Sequence, residues 1–198
     1  MLLQTIPVSA AIAACAFLLA PNAKEDALRA KPVPSAWSTQ RTSTRELDDA
    51  TIVAIFDAAN TADIESGKLA AARGRSSEVR TFGAMLARDH EQVRQMGRDL
   101  AKKLGVTPTP PADDAGTRAH DAAMAKLRAV SDADFDHAFL VHEEAFHASV
   151  INAVTTTLLP AIRNAELKAL VTKVAPAFEA HRRAAEDMDK KLAKRGDR

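Results

Sequence analysis

Tyrosine is missing from this chain, cysteine and tryptophan occur once each, and aromatic residues make up only 4% of its 198 positions. The apolar content, 46% of residues, rests largely on alanine, which favours helices that approach one another closely. A formal net charge of +1 without any Lys/Arg stripe removes the electrostatic reason to expect nucleic acid. No segment alternates apolar and polar residues as a half-buried strand does. Gly-x-Ser-x-Gly, His-Glu-x-x-His and phosphate-binding glycine loops are also lacking, so no familiar hydrolase or nucleotide site is legible. The length suits one ordinary domain and not two.

The first stretch, MLLQTIPVSAAIAACAFLLA, carries no charge before Lys24 and has the length and apolarity of an export signal. Pro7, Gln4 and Ser9 interrupt it, which makes it a poor membrane span. The lone cysteine, Cys15, lies inside this segment behind Ile-Ala-Ala, an arrangement similar to a lipoprotein cleavage box. Because AFLLA continues the apolar run beyond Cys15, cleavage near Ala20 to Ala23 is the expectation and lipidation of Cys15 the minor alternative. The mature chain then holds no thiol. Residues 24–44, with Pro32, Pro34 and a Ser/Thr cluster, read as a flexible tether. Beyond the signal (1–23) and tether, residues 45–195 form the folded unit.

That unit reads as four helices. Ser43-Thr44-Arg45-Glu46 has the form of a capping box, and Ile52, Ile55, Phe56, Ala59, Ala62 and Leu69 recur at helical spacing behind it. Gly74 breaks this helix. A second carries Val79, Phe82, Leu86, Val93, Met96 and Leu100 and ends at Gly105, with Pro108, Pro110 and Pro111 beyond. A long connection follows, with one short helix expected near Ala119 to Ala129. Ser131 is placed to cap the third helix, whose face includes Phe135, Phe139, Phe146, Val150 and Val154. Pro160 and Asn164 punctuate before a fourth from Ala165 to Lys194, in which Pro176 predicts a kink. Long helices with one long connection between the second and third give an all-α four-helix bundle with a crossover.

The informative residues are polar groups on the apolar faces. At ~100° per residue, Asp63 joins the face of Phe56 while Glu65 points away. Asp89 falls inside the stripe of Leu86 and Val93, with His90 at its edge. Glu143 and His147 are one turn apart and flank Phe139, Phe146 and Val150, and His181 follows Phe178 and Val174. Each helix thus offers a ligand near its middle, and antiparallel packing can bring them to one level. A buried carboxylate must be paired, hydrogen-bonded or metal-bound. Imidazoles with carboxylates suit iron, manganese or zinc, and a metal-free salt-bridge network of the same residues is the other solution. His120, His137 and His142 read as loop or surface groups, His142 with the option of supporting the cluster.

ADIESGKLA at 62–70, FGAMLARDH at 82–90, DFDHAFLVHEEAFH at 134–147 and VAPAFEAH at 174–181 together resemble the bacterial family called domain of unknown function 4142. The resemblance covers residues 48–192 and implies export and a ferritin-like bundle. It picks out Asp63, Asp89, His90, His147 and His181. Ferritin-type di-iron sites pair a Glu on each of two helices with Glu-x-x-His on the others. Here Glu144 has that spacing to His147 but turns away from the core, and no Glu stands three residues before His181. An intact di-iron centre is therefore not expected.

Three readings stay open: a periplasmic or envelope metal-binding bundle protective under stress, a structural or interaction protein held near a membrane by its N-terminal segment, and, last, a ferritin-like redox enzyme. The partner is not legible. Export is checked directly: intact-mass measurement of protein recovered from cells should show a chain lacking residues through Ala20 to Ala23, whereas a lipid adduct on Cys15 would establish the lipoprotein route.

Overall fold

The computed structural model describes residues 47–196, and every element among them is helical. The signal, the tether and the Ser43–Glu46 box lie outside these residues. Helix α1 spans Asp49–Arg73, α2 Ser77–Leu104, α3 Ala115–Ala129, α4 Phe135–Ala153 and α5 Ala165–Gly196. The described residues thus hold five helices, the four long ones expected and, in the connection, the short one expected near Ala119 to Ala129. That short one, α3, is longer than anticipated and packed, with Met124 and Leu127 buried.

Capping explains most of the boundaries. Asp48 accepts from the Thr51 amide at 2.8 Å, Ser76 from Val79 at 3.1 Å and Asp114 from Thr117 at 2.9 Å. Gly105 closes α2 at φ 66°, the left-handed conformation that glycine adopts without a side-chain clash. Asp134, and not Ser131, precedes the first turn of α4, and the Ser131 hydroxyl donates to it at 2.6 Å. The end of α4 widens into a π-helical stretch, Val154–Leu158, followed by a last turn at Leu159–Ala161. Three consecutive threonines account for this. The Thr155 hydroxyl bonds the Ile151 carbonyl at 2.8 Å and that of Thr156 bonds Asn152 at 2.7 Å, drawing those carbonyls out of the regular ladder. Helix α5 runs on through Pro176, which is exposed.

The helices pair antiparallel. Asp57 meets Arg98 and Thr61 meets Arg94 across α1 and α2, while His137 meets Asp189 and Glu144 meets Arg182 across α4 and α5. Two carboxylates join these pairs end to end. Asp49 accepts the amides of Arg163 and Asn164, each at 2.9 Å, and Asp136 accepts those of Arg75 and Ser76, each at 2.8 Å. Arg73 donates to the carbonyls of Leu127, Arg128 and Val130 and lies over the Phe135 ring, fixing the end of α3. Alpha3 carries the chain from the far end of α2 back to the start of α4.

The apolar core has two halves. One gathers Ile52, Phe56, Leu158, Leu167, Val171 and Phe178; the other gathers Val79, Leu86, Met124, Phe135, Phe139 and Leu140. Between them, on every long helix, lies a polar residue. Helices α1 and α2 approach backbone to backbone at Gly67 and Gly83: a Cβ on either would sit 2.6 Å from the other's carbonyl oxygen. Gly67→Ala and Gly83→Ala should each lower stability in urea unfolding by about 1–3 kcal/mol, since the obstructing atoms are backbone. Phe139→Ala should cost about 3–5 kcal/mol. Changes within ±0.5 kcal/mol, the range of exposed sites, would show that these contacts are not made.

Candidate metal centre

Five of the six residues singled out from the sequence meet in the layer between the two apolar halves. Glu143 and His147 are fully buried, His90 and Asp63 are 1% and 2% exposed, and His181 is 8% exposed. The sixth, Asp89, stands at the rim. Its side chain is 34% exposed, held by Arg88 at 2.8 Å, and faces His181 at 3.6 Å. The expected order on α2 is thus reversed, His90 pointing inward and Asp89 outward. The cause is register: the buried line of α2 runs Val79, Gly83, Leu86, His90, Gly97, Ala101, whereas Val93 is only half-buried.

The imidazoles form a triangle. Ring centroids of His90, His147 and His181 lie 5.2–5.6 Å apart, and one nitrogen from each falls within 4.8 Å of the others. A second set, Asp63, Glu143 and His147, meets the same distance and shares His147. Hydrogen bonds fix which nitrogen is available. His147 Nδ1 is 2.9 Å from the Glu143 carbonyl, an acceptor only, so Nδ1 carries the proton and Nε2 keeps a lone pair. Asn60 donates through Nδ2 to the Phe56 carbonyl at 2.8 Å, which turns its Oδ1 to His90 Nδ1 at 3.0 Å. His90 therefore donates there, and its Nε2 faces His181 Nδ1 at 3.2 Å. Two tautomers of His181 are open: with its proton on Nδ1 it donates to His90 Nε2, and with its proton on Nε2, 3.6 Å from Asp89, two lone pairs face each other. The Nε2 of His147 has no hydrogen-bond partner, nor have Asp63 Oδ1 and either Glu143 carboxylate oxygen.

Burial sets the protonation states. It pushes His90 down to about 2 and His147 down to about 4, with neighbouring imidazoles adding to the effect, and it lowers His181 against the pull of Asp89. The carboxyls move the other way. Asp63 is raised well above its ordinary value by burial and then by the Glu143 charge, and burial raises Glu143 to about 7. Neutral imidazoles beside carboxyls that resist ionisation are a poor ion-pair network. They are a ready donor set for a cation, which favours both carboxylates in their charged form.

Two other histidines depart from expectation. His142 is not a surface group: burial lowers it to about 4, and its ring lies 6.0 Å from Phe146. His120 is bound to Glu65 at 3.0 Å with its side chain 12% exposed. His137 is exposed, as read from the sequence. Glu144 lies outside the layer, 3.6 Å from Arg182. Asn60 and Ser66, each 1% exposed, escaped the sequence reading, although Asn60 sits on the stripe four residues after Phe56.

The chain belongs to the family whose model is described as domain of unknown function (DUF4142), which matches residues 33–188. No curated protein and no solved structure matches it.

The raised Glu143 has a measurable sign. A group whose folded pKa exceeds its unfolded value contributes stability below the unfolded value and loses it as pH rises through the folded one. In metal-free protein, the stability of the wild type relative to Glu143→Gln should therefore fall between about pH 4.5 and 7, by up to about 3 kcal/mol. Chemical denaturation of both proteins across that range checks it, and a difference independent of pH would contradict the buried setting of this carboxyl.

Proposed function

We propose that this chain is an exported four-helix-bundle protein of ferritin-like type that holds one divalent transition-metal ion in its polar layer. Iron, manganese and zinc are the ions its donors suit. The observation that carries the reading is the direction of the imidazoles: each turns one nitrogen to an acceptor on its own margin, namely the Glu143 carbonyl, Asn60 or Asp89, and the other inward. Metal-ligating histidines are oriented in this way, the outer hydrogen bond fixing tautomer and ring plane. Asp63 and Glu143 would complete the set. Their two negative charges match a divalent ion.

Several features support the finer points. The antiparallel pairing of four long helices, with α3 as a crossover, agrees with the ferritin-like bundle. The apolar leader supports export to the periplasm or envelope. Only two carboxyls reach the layer, and Glu144 lies outside it, which favours one ion over a di-iron oxidase centre. With Glu143 and His147 closed to solvent, an ion there would be withheld from solution and not presented to a substrate. Protection under metal or oxidative stress follows more readily from such a site than turnover does. The structural alternative keeps one proton between Asp63 and Glu143 and needs no ion.

Metal-free protein prepared with a chelator should take up one equivalent of Fe(II), Mn(II) or Zn(II) near pH 7.5, measured by elemental mass spectrometry. At a hundredfold excess over the dissociation constant, its melting temperature should rise by about 5–10 °C. His181→Ala should remove most of that rise. If none of the three ions shifts the melt or is retained, the polar layer is a metal-free core and the structural alternative stands.

A further inference from the structure

Helices α1 and α2 pack along most of their length, as do α4 and α5, but α1 and α4 touch only sparsely. The seam between them is spanned by α3 and by Pro110 and Pro111 ahead of it. Beneath that cover lies a cavity of about 490 Å³, within the range of small-molecule sites. Its wall along α4 and the π-helical stretch beyond it extends from His142 to Leu158, ~24 Å at ~1.5 Å per residue. A space of that volume drawn out over that length is narrow, the shape of one extended aliphatic chain and not of a fused ring system.

The two ends differ chemically. Ile55, Val150, Val154 and Leu158 line one, while Glu65, His120, Asp121 and His142 line the other. Among the described residues no Lys or Arg borders the cavity, and its charged side chains are carboxylates. Asp57 is engaged by Arg98 and Asp114 caps α3, which leaves Glu65 and Asp121 at the polar end. His120 donates from Nε2 to Glu65 at 3.0 Å, and its Nδ1 is buried without a hydrogen-bond partner. The polar end therefore asks for a donor with positive charge. A carboxylate head would set acceptor against acceptor, and a hydroxyl brings a donor without charge. A primary ammonium brings three donors and the matching charge.

We propose that this cavity binds a single-chain cationic amphiphile, its aliphatic chain lying along α1 and α4 and its amine head held by Glu65 and His120. The site is separate from the metal centre. The rings of Phe146 and Phe178 stand between them, Phe146 5.9 Å from the His147 ring and Phe178 stacked on His90 at 5.4 Å. None of the five inward-facing residues of the polar layer lines the cavity, and Asn60, which holds His90 Nδ1, borders both.

Isothermal titration of the metal-free and metal-loaded protein with decylamine, decanol and decanoate, each below its micelle concentration, tests the assignment. One equivalent of decylamine should bind in both forms, at least tenfold more tightly than decanoate. Glu65→Gln should weaken decylamine about tenfold and leave decanol unchanged. Ala145→Trp, at an exposed position on the cavity wall, and Ser149→Phe should each abolish binding with the circular dichroism spectrum intact. Decanoate binding as tightly as decylamine, no saturable binding of any of the three, or binding that survives both space-filling variants overturns the proposal.

Discussion

Two carboxyl groups with no access to water lie at the centre of this fold, and the rest of the structure is arranged around the cost of keeping them there. Removing a carboxylate from water costs several kcal/mol unless charge or hydrogen bonds replace the lost hydration. Among the described residues no Lys or Arg pairs with Asp63 or Glu143; their neighbours are neutral imidazoles and Ser66. The offsetting stability comes from above and below. Phe135, Phe139 and Leu140 are completely buried on one side; on the other Ile52 is too, with Leu167 and Val171 nearly so. Each half supplies the burial that a divided core would otherwise lack.

The same division explains the connections. Short turns at Gly74–Ser76 and Ile162–Asn164 hold the two hairpins in register, so that mid-helix residues meet at one level. Asp49 and Asp136 lock those turns from the opposite pair through backbone amides, and a slip of one residue would break both bonds at each end. The long connection is then free to travel. It lays α3 across the seam between α1 and α4, and because α3 is amphipathic with few large side chains, it roofs that seam without filling it.

Helical periodicity made the long helices legible, along with most of the layer. Asp63, Glu143, His147 and His181 each interrupt an apolar stripe, and a stripe is a strong signal when large side chains define it. On α2 they do not. There the face toward α1 is marked by Gly83 and Gly97, which carry no apolar weight and shift the apparent centre of the stripe toward Val93. The apolar pattern consequently points Asp89 inward and sets His90 at the edge. Helix α3 is under-read because only Met124 and Leu127 anchor it in the core, and its polar ties, Arg73 to the carbonyls at its end and His120 to Glu65, are long-range and leave no local pattern. The burial of His142 depends on α3 passing over α1 and α4, and no spacing within α4 could signal it.

The layer also limits how its charges can be balanced. With His90 and His147 held neutral by burial, the imidazoles cannot serve as counter-ions until acid conditions, by which point the carboxyls are themselves protonated. A proton shared between Asp63 and Glu143 answers one of the two charges. It leaves the Nε2 lone pair of His147 unanswered, and the facing nitrogens of His90 and His181 at 3.2 Å still require something between them or a tautomer that faces Asp89 with a lone pair. A protonation scheme that satisfies one group therefore strands another. A divalent cation accepts from the imidazoles and the carboxylates at once, and each histidine already has its outer nitrogen engaged. It is the competition among these donors, more than the number of them, that argues for an ion in the layer.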